Sequence, residues 1–252
     1  MLHEHLSMTQ LTMFRRCPIQ YHYRYDLGLI IPPDGGLVRG KSVHQGIAVN
    51  MEQKKETGVD LSVSDVQEAT AAAFESEAAD AEFQADEKPG ELKDSAVALA
   101  AMHTTDLAPT IQPLEVEREV RFSVPGVEVP FLGYIDLIDM RSTVRDTKTA
   151  GRTPQADVAD KSFQLTGYAF AYMQDYGELP KAVTLDYLIA TKTPKAEVRE
   201  SVRTSKDIAR FIGTSRMMAE AIAAENYYPN EDGWHCSPRY CGYYERCHKE
   251  VL

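Results

Sequence analysis

Hydrophobic and polar positions divide the chain into stretches of two different periods. After Ser7, a natural helix N-cap, Leu11, Phe14 and Cys17 recur at helical spacing, which predicts a short helix that Pro18 interrupts. Tyr21, Tyr23 and Tyr25 then cluster, and Pro32-Pro33-Asp34-Gly35-Gly36 reads as a turn or loop. Residues 40–108 are helical in pattern, Ala-rich and poor in β-branched side chains, with a break at residues 86–90. Period two follows. Residues 115–122 alternate, 127–140 are apolar and β-branched, and 142–149 form a short third strand, with Pro125-Gly126 as a hairpin turn. Residues 160–176 predict a helix capped by Asp160 and stopped by Gly177. Residues 182–190 predict a buried strand with 197–202 as its hairpin partner, and 205–224 a long helix capped by Ser205. Helices, three strands, a helix, strands and a helix imply an α/β fold with a mixed central sheet flanked by helices.

Bulk properties narrow this picture little. The 252 residues are 43% hydrophobic, enough for a real core. No apolar run is long enough for a transmembrane helix, so no membrane partner is expected. The first residues lack the basic-then-apolar pattern of a secretory signal, and the expected location is the cytoplasm. The net charge of -11 argues against a broadly basic nucleic-acid binder. Residues 52–94, however, hold thirteen Asp/Glu and four Lys, so that segment carries -9 and the remainder only -2. Arg15, Arg16 and Arg24 are a candidate basic patch, or simply a solvated helix face.

Candidate chemistry gathers in the strands. Gly133-Tyr134-Ile135-Asp136 ends one strand, and Asp146-Thr147-Lys148 lies ten residues on. Asp146 and Lys148 share a strand face, and a neighbouring antiparallel strand brings Asp136 toward it. Carboxylate oxygens suit Mg²⁺ or Mn²⁺, which bind phosphate oxygens and lower the pKa of a bound water. A lysine beside them orients that water. Read alone, the tripeptide is an ordinary hairpin with a solvated Asp–Lys pair. Two further motifs frame it. Gly40-Lys41-Ser42-Val43-His44 stands upstream, and Gln164 and Tyr168 lie downstream at i and i+4 on one helix face.

In this order, G-x-x-x-H, G-x-I-D, D-x-K and Q-x-x-x-Y, the sequence resembles the RecB-like branch of the PD-(D/E)XK nuclease superfamily. The resemblance implies a restriction-endonuclease-like α/β core with a mixed central sheet. It implies that His44, Asp136, Asp146 and the Thr147 carbonyl bind metal, that Lys148 positions the water, and that Gln164 and Tyr168 support the site. Glu117, on the preceding strand, could reach the site but is not counted among its ligands. DNA is the implied substrate, single-stranded or with free ends. A helicase, recombination or CRISPR-adaptation partner is compatible with the same branch.

Four cysteines remain: Cys17, and Cys236, Cys241 and Cys247 in the tail. Disulfides suit a cytoplasmic chain poorly, and a metal centre joining the two ends is the better reading. Four thiols suit a [4Fe–4S] cluster or a structural zinc, and His235 and His248 also leave room for a mixed Cys/His zinc site. One cysteine near the start and three at the end resembles the iron–sulfur exonucleases of the same branch, including those of CRISPR adaptation. The C-x₄-C-x₅-C spacing departs from their usual one. The expected organisation is one nuclease domain over 1–252, with cluster-binding ends at 1–31 and 227–252, a helical insertion at 45–110 and a catalytic core at 111–225.

A competing motif overlaps the first of these. Residues 35–42 match G-x-x-x-x-G-K-[ST], the phosphate-binding loop of NTPases. That loop needs a buried strand feeding it, and Leu29-Ile30-Ile31 running into two prolines is a poor one. A non-catalytic DNA-binding module of the same fold is the other alternative.

Overall fold

The computed structural model describes residues 3–250. The chain divides into two compact units. One is built from the segment up to Ile31, Val120–Gly133 and the segment from Thr204; the other from Pro32–Glu119 and Tyr134–Arg203.

The second unit begins with helices. α1 (Met8–Arg16) and α2 (Pro18–Tyr21) precede it, and α3 (Gly35–Thr57) opens it. Asp34 caps α3 by accepting from the Leu37 N–H at 2.7 Å, and Gly58 ends it at φ 78°. α3 therefore starts five residues before the helical pattern predicted, and it absorbs the whole of Gly35-Gly36-Leu37-Val38-Arg39-Gly40-Lys41-Ser42. This removes the NTPase reading. A phosphate cradle needs those glycines in a loop ahead of a helix, whereas here they are helical and Lys41 pairs with Glu77. α4 (Val63–Ala78) and α5 (Pro89–Met102) follow. Gly46 lets α3 lie directly on α4, because a Cβ there would stand 2.0 Å from Thr70 Oγ1. Val38, Val43, Ile47, Met51, Phe74 and Leu99 of these helices form one core with Val116, Leu137 and Leu188 of the sheet.

The sheet has five strands in the order β1 (Pro113–Phe122), β2 (Phe131–Asp139), β3 (Thr143–Ala150), β4 (Ala182–Ile189) and β5 (Lys195–Ser201). β2 begins four residues later than the apolar run suggested, after a turn with Gly126 at φ 82°. β2 and β3 are antiparallel, with Leu137 opposite Arg145. β3 and β4 are parallel, and α6 (Phe163–Tyr176) supplies the long crossover that a parallel pair requires. β5 returns antiparallel to β4. The sheet is mixed and flanked by helices, as expected. Two helix caps differ from the expectation. α6 is capped by Ser162, while the Asp160 carboxylate accepts from the Ser201 hydroxyl.

The other differing cap lies in the first unit. α7 (Ser205–Ala223) is capped by Thr204, not Ser205, because Asp207 three residues on completes a reciprocal capping box. In this unit Phe14, Tyr21, Tyr25 and Tyr227 pack as an aromatic cluster, and α8 (Tyr244–Glu250) carries Cys247. Among the described residues, no helix is long and apolar enough to cross a membrane.

Candidate active site

Three chain segments of the second unit bring one imidazole and two carboxylates together. His44 comes from the third turn of α3, Glu117 from β1 and Asp136 from β2. Their donor atoms all lie within 4.8 Å of one another. His44 Nδ1 stands 3.3 Å from Asp136 Oδ2, and the same oxygen accepts the Thr147 N–H at 2.8 Å. Ligands about 2.1 Å from one ion lie within about 4.2 Å of each other, so this donor set fits a hard divalent cation with little adjustment. Glu117 is the residue that motif spacing leaves out. Its φ of 44° is unusual for a non-glycine in a strand, and such conformations persist where surrounding structure enforces them. Its side chain stands at the surface, but partial desolvation first, and the Asp136 charge second, raise its pKa.

Asp146 lies beside this group, not within it. It is buried on β3, and Lys148 Nζ stands 2.7 Å from its Oδ2, close in distance but outside hydrogen-bond alignment. Its Oδ1 has no partner. Burial pushes the Asp146 carboxyl up, and Lys148 only partly reverses this. Burial acts against the charge on Lys148, yet Asp146 and then Asp136 hold its pKa above the ordinary lysine value. Gln164 Nε2 donates to Tyr168 Oη at 3.0 Å across one turn of α6, as the i, i+4 spacing implied. Tyr168 is buried, and its pKa is raised by that burial and by the Asp146 charge. His44, Glu117 and Lys148 line an open cleft of about 650 Å³, together with Gly40, Lys41 and Thr149. Thr147 is buried, and its N–H is the group shown to act on the site.

In the first unit the four cysteines are free thiols and line one small cavity with His235 and His248. Gln20 Nε2 donates to Cys241 Sγ at 3.1 Å, and the Asn230 N–H to Cys17 Sγ at 3.4 Å. Such hydrogen bonds suit thiolates. Thiols with neighbouring imidazoles are donors for zinc, and four thiols also suit an iron–sulfur cluster.

The family model of the PD-(D/E)XK nuclease superfamily matches residues 5–248. The chain belongs to the PD-(D/E)XK nuclease superfamily. Members typically use divalent metals, in keeping with the acidic cluster. Among solved structures, one named "Putative exonuclease" from Eubacterium rectale superposes with a TM-score of 0.59 at 12% identity. The match covers 99% of this chain and 89% of that one, a likeness of fold. A structure named SSO0001 gives a TM-score of 0.41 at 13% identity, over 97% and 96% of the two chains, too loose to bear on the site. A comparison with curated protein sequences finds no match.

Proposed function

We propose that this superfamily member is a divalent-metal-dependent deoxyribonuclease, an exonuclease acting on single-stranded DNA or on DNA ends. The observation that carries the reading is the convergence of His44, Glu117 and Asp136 in a cleft beside the Asp146–Lys148 pair. His44, Glu117, Asp136 and Asp146 would hold Mg²⁺ or Mn²⁺. Bound there, the ion would supply an activated water and charge neutralisation at the scissile phosphate. Thr147 fixes Asp136 through its N–H, so the carboxylate is oriented before substrate arrives. Lys148, tied to Asp146, is the cation available to orient the attacking water and to offset charge building on the phosphate. Tyr168, steadied by Gln164, closes the α6 side of the site around Asp146. Cys17, Cys236, Cys241 and Cys247 would hold a [4Fe–4S] cluster in a structural role, a reading supported by the four thiols lining one cavity; a structural zinc is the alternative. Four free thiols also suit a reducing compartment such as the cytoplasm.

The test is degradation of end-labelled DNA with Mn²⁺ or Mg²⁺. Linear single strands should be digested and closed circles should resist. Lys148→Ala should lower the rate by about a hundredfold or more with the fold intact. Unchanged digestion by that variant would overturn the proposed site. DNA retained but never cut by the wild-type protein would point to a binding module.

A further inference from the structure

Behind the carboxylate group lies a small enclosed cavity of about 10 Å³, walled by His44, His103, Asp136, Thr147, Asp186 and Met51 among others. That volume is at the lower limit for one water molecule, about 10–15 Å³, and such a water needs two to four polar partners. The walls provide them. His103, in the turn after α5, is only 1% exposed, and its Nδ1 has no hydrogen-bond partner. The other polar walls are engaged. Asp136 accepts from the Thr147 N–H, and Asp186 is gripped by Arg145 Nη1 at 2.9 and 3.2 Å. A buried polar atom without a partner is costly and uncommon, and the residue that carries it lines a one-water cavity shared with two proposed metal ligands.

We propose that His103 is a positioning residue of the metal site, acting through one water held between its Nδ1, the His44 ring and the Asp136 carboxylate. The inference rests on the reading that His44 and Asp136 hold the cation. Metal-binding imidazoles and carboxylates are oriented by hydrogen bonds from behind, and losing such a partner typically weakens metal binding about ten- to a hundredfold. Asp186, which also lines the cavity, is held to the sheet by its ion pair with Arg145.

Two substitutions separate this role from packing. His103→Leu removes the polar edge, and His103→Gln keeps a donor and an acceptor. Mn²⁺ affinity is measured by calorimetry, and stability by urea unfolding without added metal. His103→Leu should bind Mn²⁺ about tenfold more weakly or worse, with unfolding near that of the wild type. His103→Gln should recover most of the affinity. Equal affinity in all three proteins overturns the inference, as does affinity that merely follows a loss of stability in both variants. Should the Leu variant not fold, His103→Met takes its place under the same criteria. A wild-type protein that binds no Mn²⁺ overturns the metal-site reading and this inference with it. Normal binding in the wild type and in His103→Leu alike overturns this inference alone.

Discussion

Glu117 supplies one of the two carboxylates that gather with the His44 imidazole. In the sequence Glu117 stands on an alternating strand within reach of the site, but no motif counts it as a ligand. In the structure it has a positive φ, and its carboxylate stands with His44 and Asp136. Glu117→Gln, which keeps the shape and drops the charge, should therefore weaken Mn²⁺ binding about tenfold in a calorimetric titration. The residues around it were legible for a different reason. His44, Asp136, Asp146, Lys148, Gln164 and Tyr168 stand in motifs whose order resembles that of the nuclease superfamily, and that resemblance nominates them. His103 belongs to no such motif. Its burial, its unpartnered Nδ1 and its place on the cavity wall identify it, and desolvation first and the Arg145 charge second lower its pKa from 6.5 to about 4. The linkage has a definite sign. Below pH 6.5 the unfolded chain takes up a proton that the folded chain refuses, so the His103 contribution is complete above that value and drains away toward pH 4. Urea unfolding should show about 2 kcal/mol less stability from this group at pH 5 than at pH 7, and His103→Leu should flatten that slope.

At the scale of elements, the strands and helices were legible wherever burial imposes a period. β4 is buried almost throughout, and its sequence is largely apolar, broken only by Thr184 and Asp186. The ends were less legible, because caps are chosen by local geometry that several neighbouring residues can supply. Thr204 and Ser205 are adjacent and chemically alike, yet Asp207 lies three residues after Thr204 and so closes the box on Thr204 alone. Thr204→Ala should destabilise the protein by about 1 kcal/mol in urea, whereas Ser205→Ala should leave the midpoint nearly unmoved. The same locality explains α3. The glycines at its start look like a loop, but Asp34 caps the helix ahead of them, and Lys41 pairs with Glu77 from within it.

For the whole molecule, charge follows the two units. The unit with the cysteines holds ten Lys/Arg and ten Asp/Glu, so the net charge of -11 resides entirely in the unit with the carboxylate cleft. Bound divalent cations and local basic groups, not overall charge, must then oppose the DNA phosphates there. Protein purified anaerobically should be brown and contain iron, and Cys247→Ala should lose that iron and unfold at lower urea. A colourless wild-type protein carrying zinc would refute the cluster assignment while leaving the cleft chemistry intact. The contacts around those cysteines also span the chain. Gln20 meets Cys241 across 221 positions, Cys17 meets Asn230 across 213, and Tyr243 meets Leu29 across 214. Loop-closure entropy grows only slowly with length, so joining such distant segments costs little more than closing a much shorter loop. It does slow folding, because contacts of long sequence separation form late. The surroundings of the four cysteines should therefore order after the local helix–helix contacts of α3, α4 and α5.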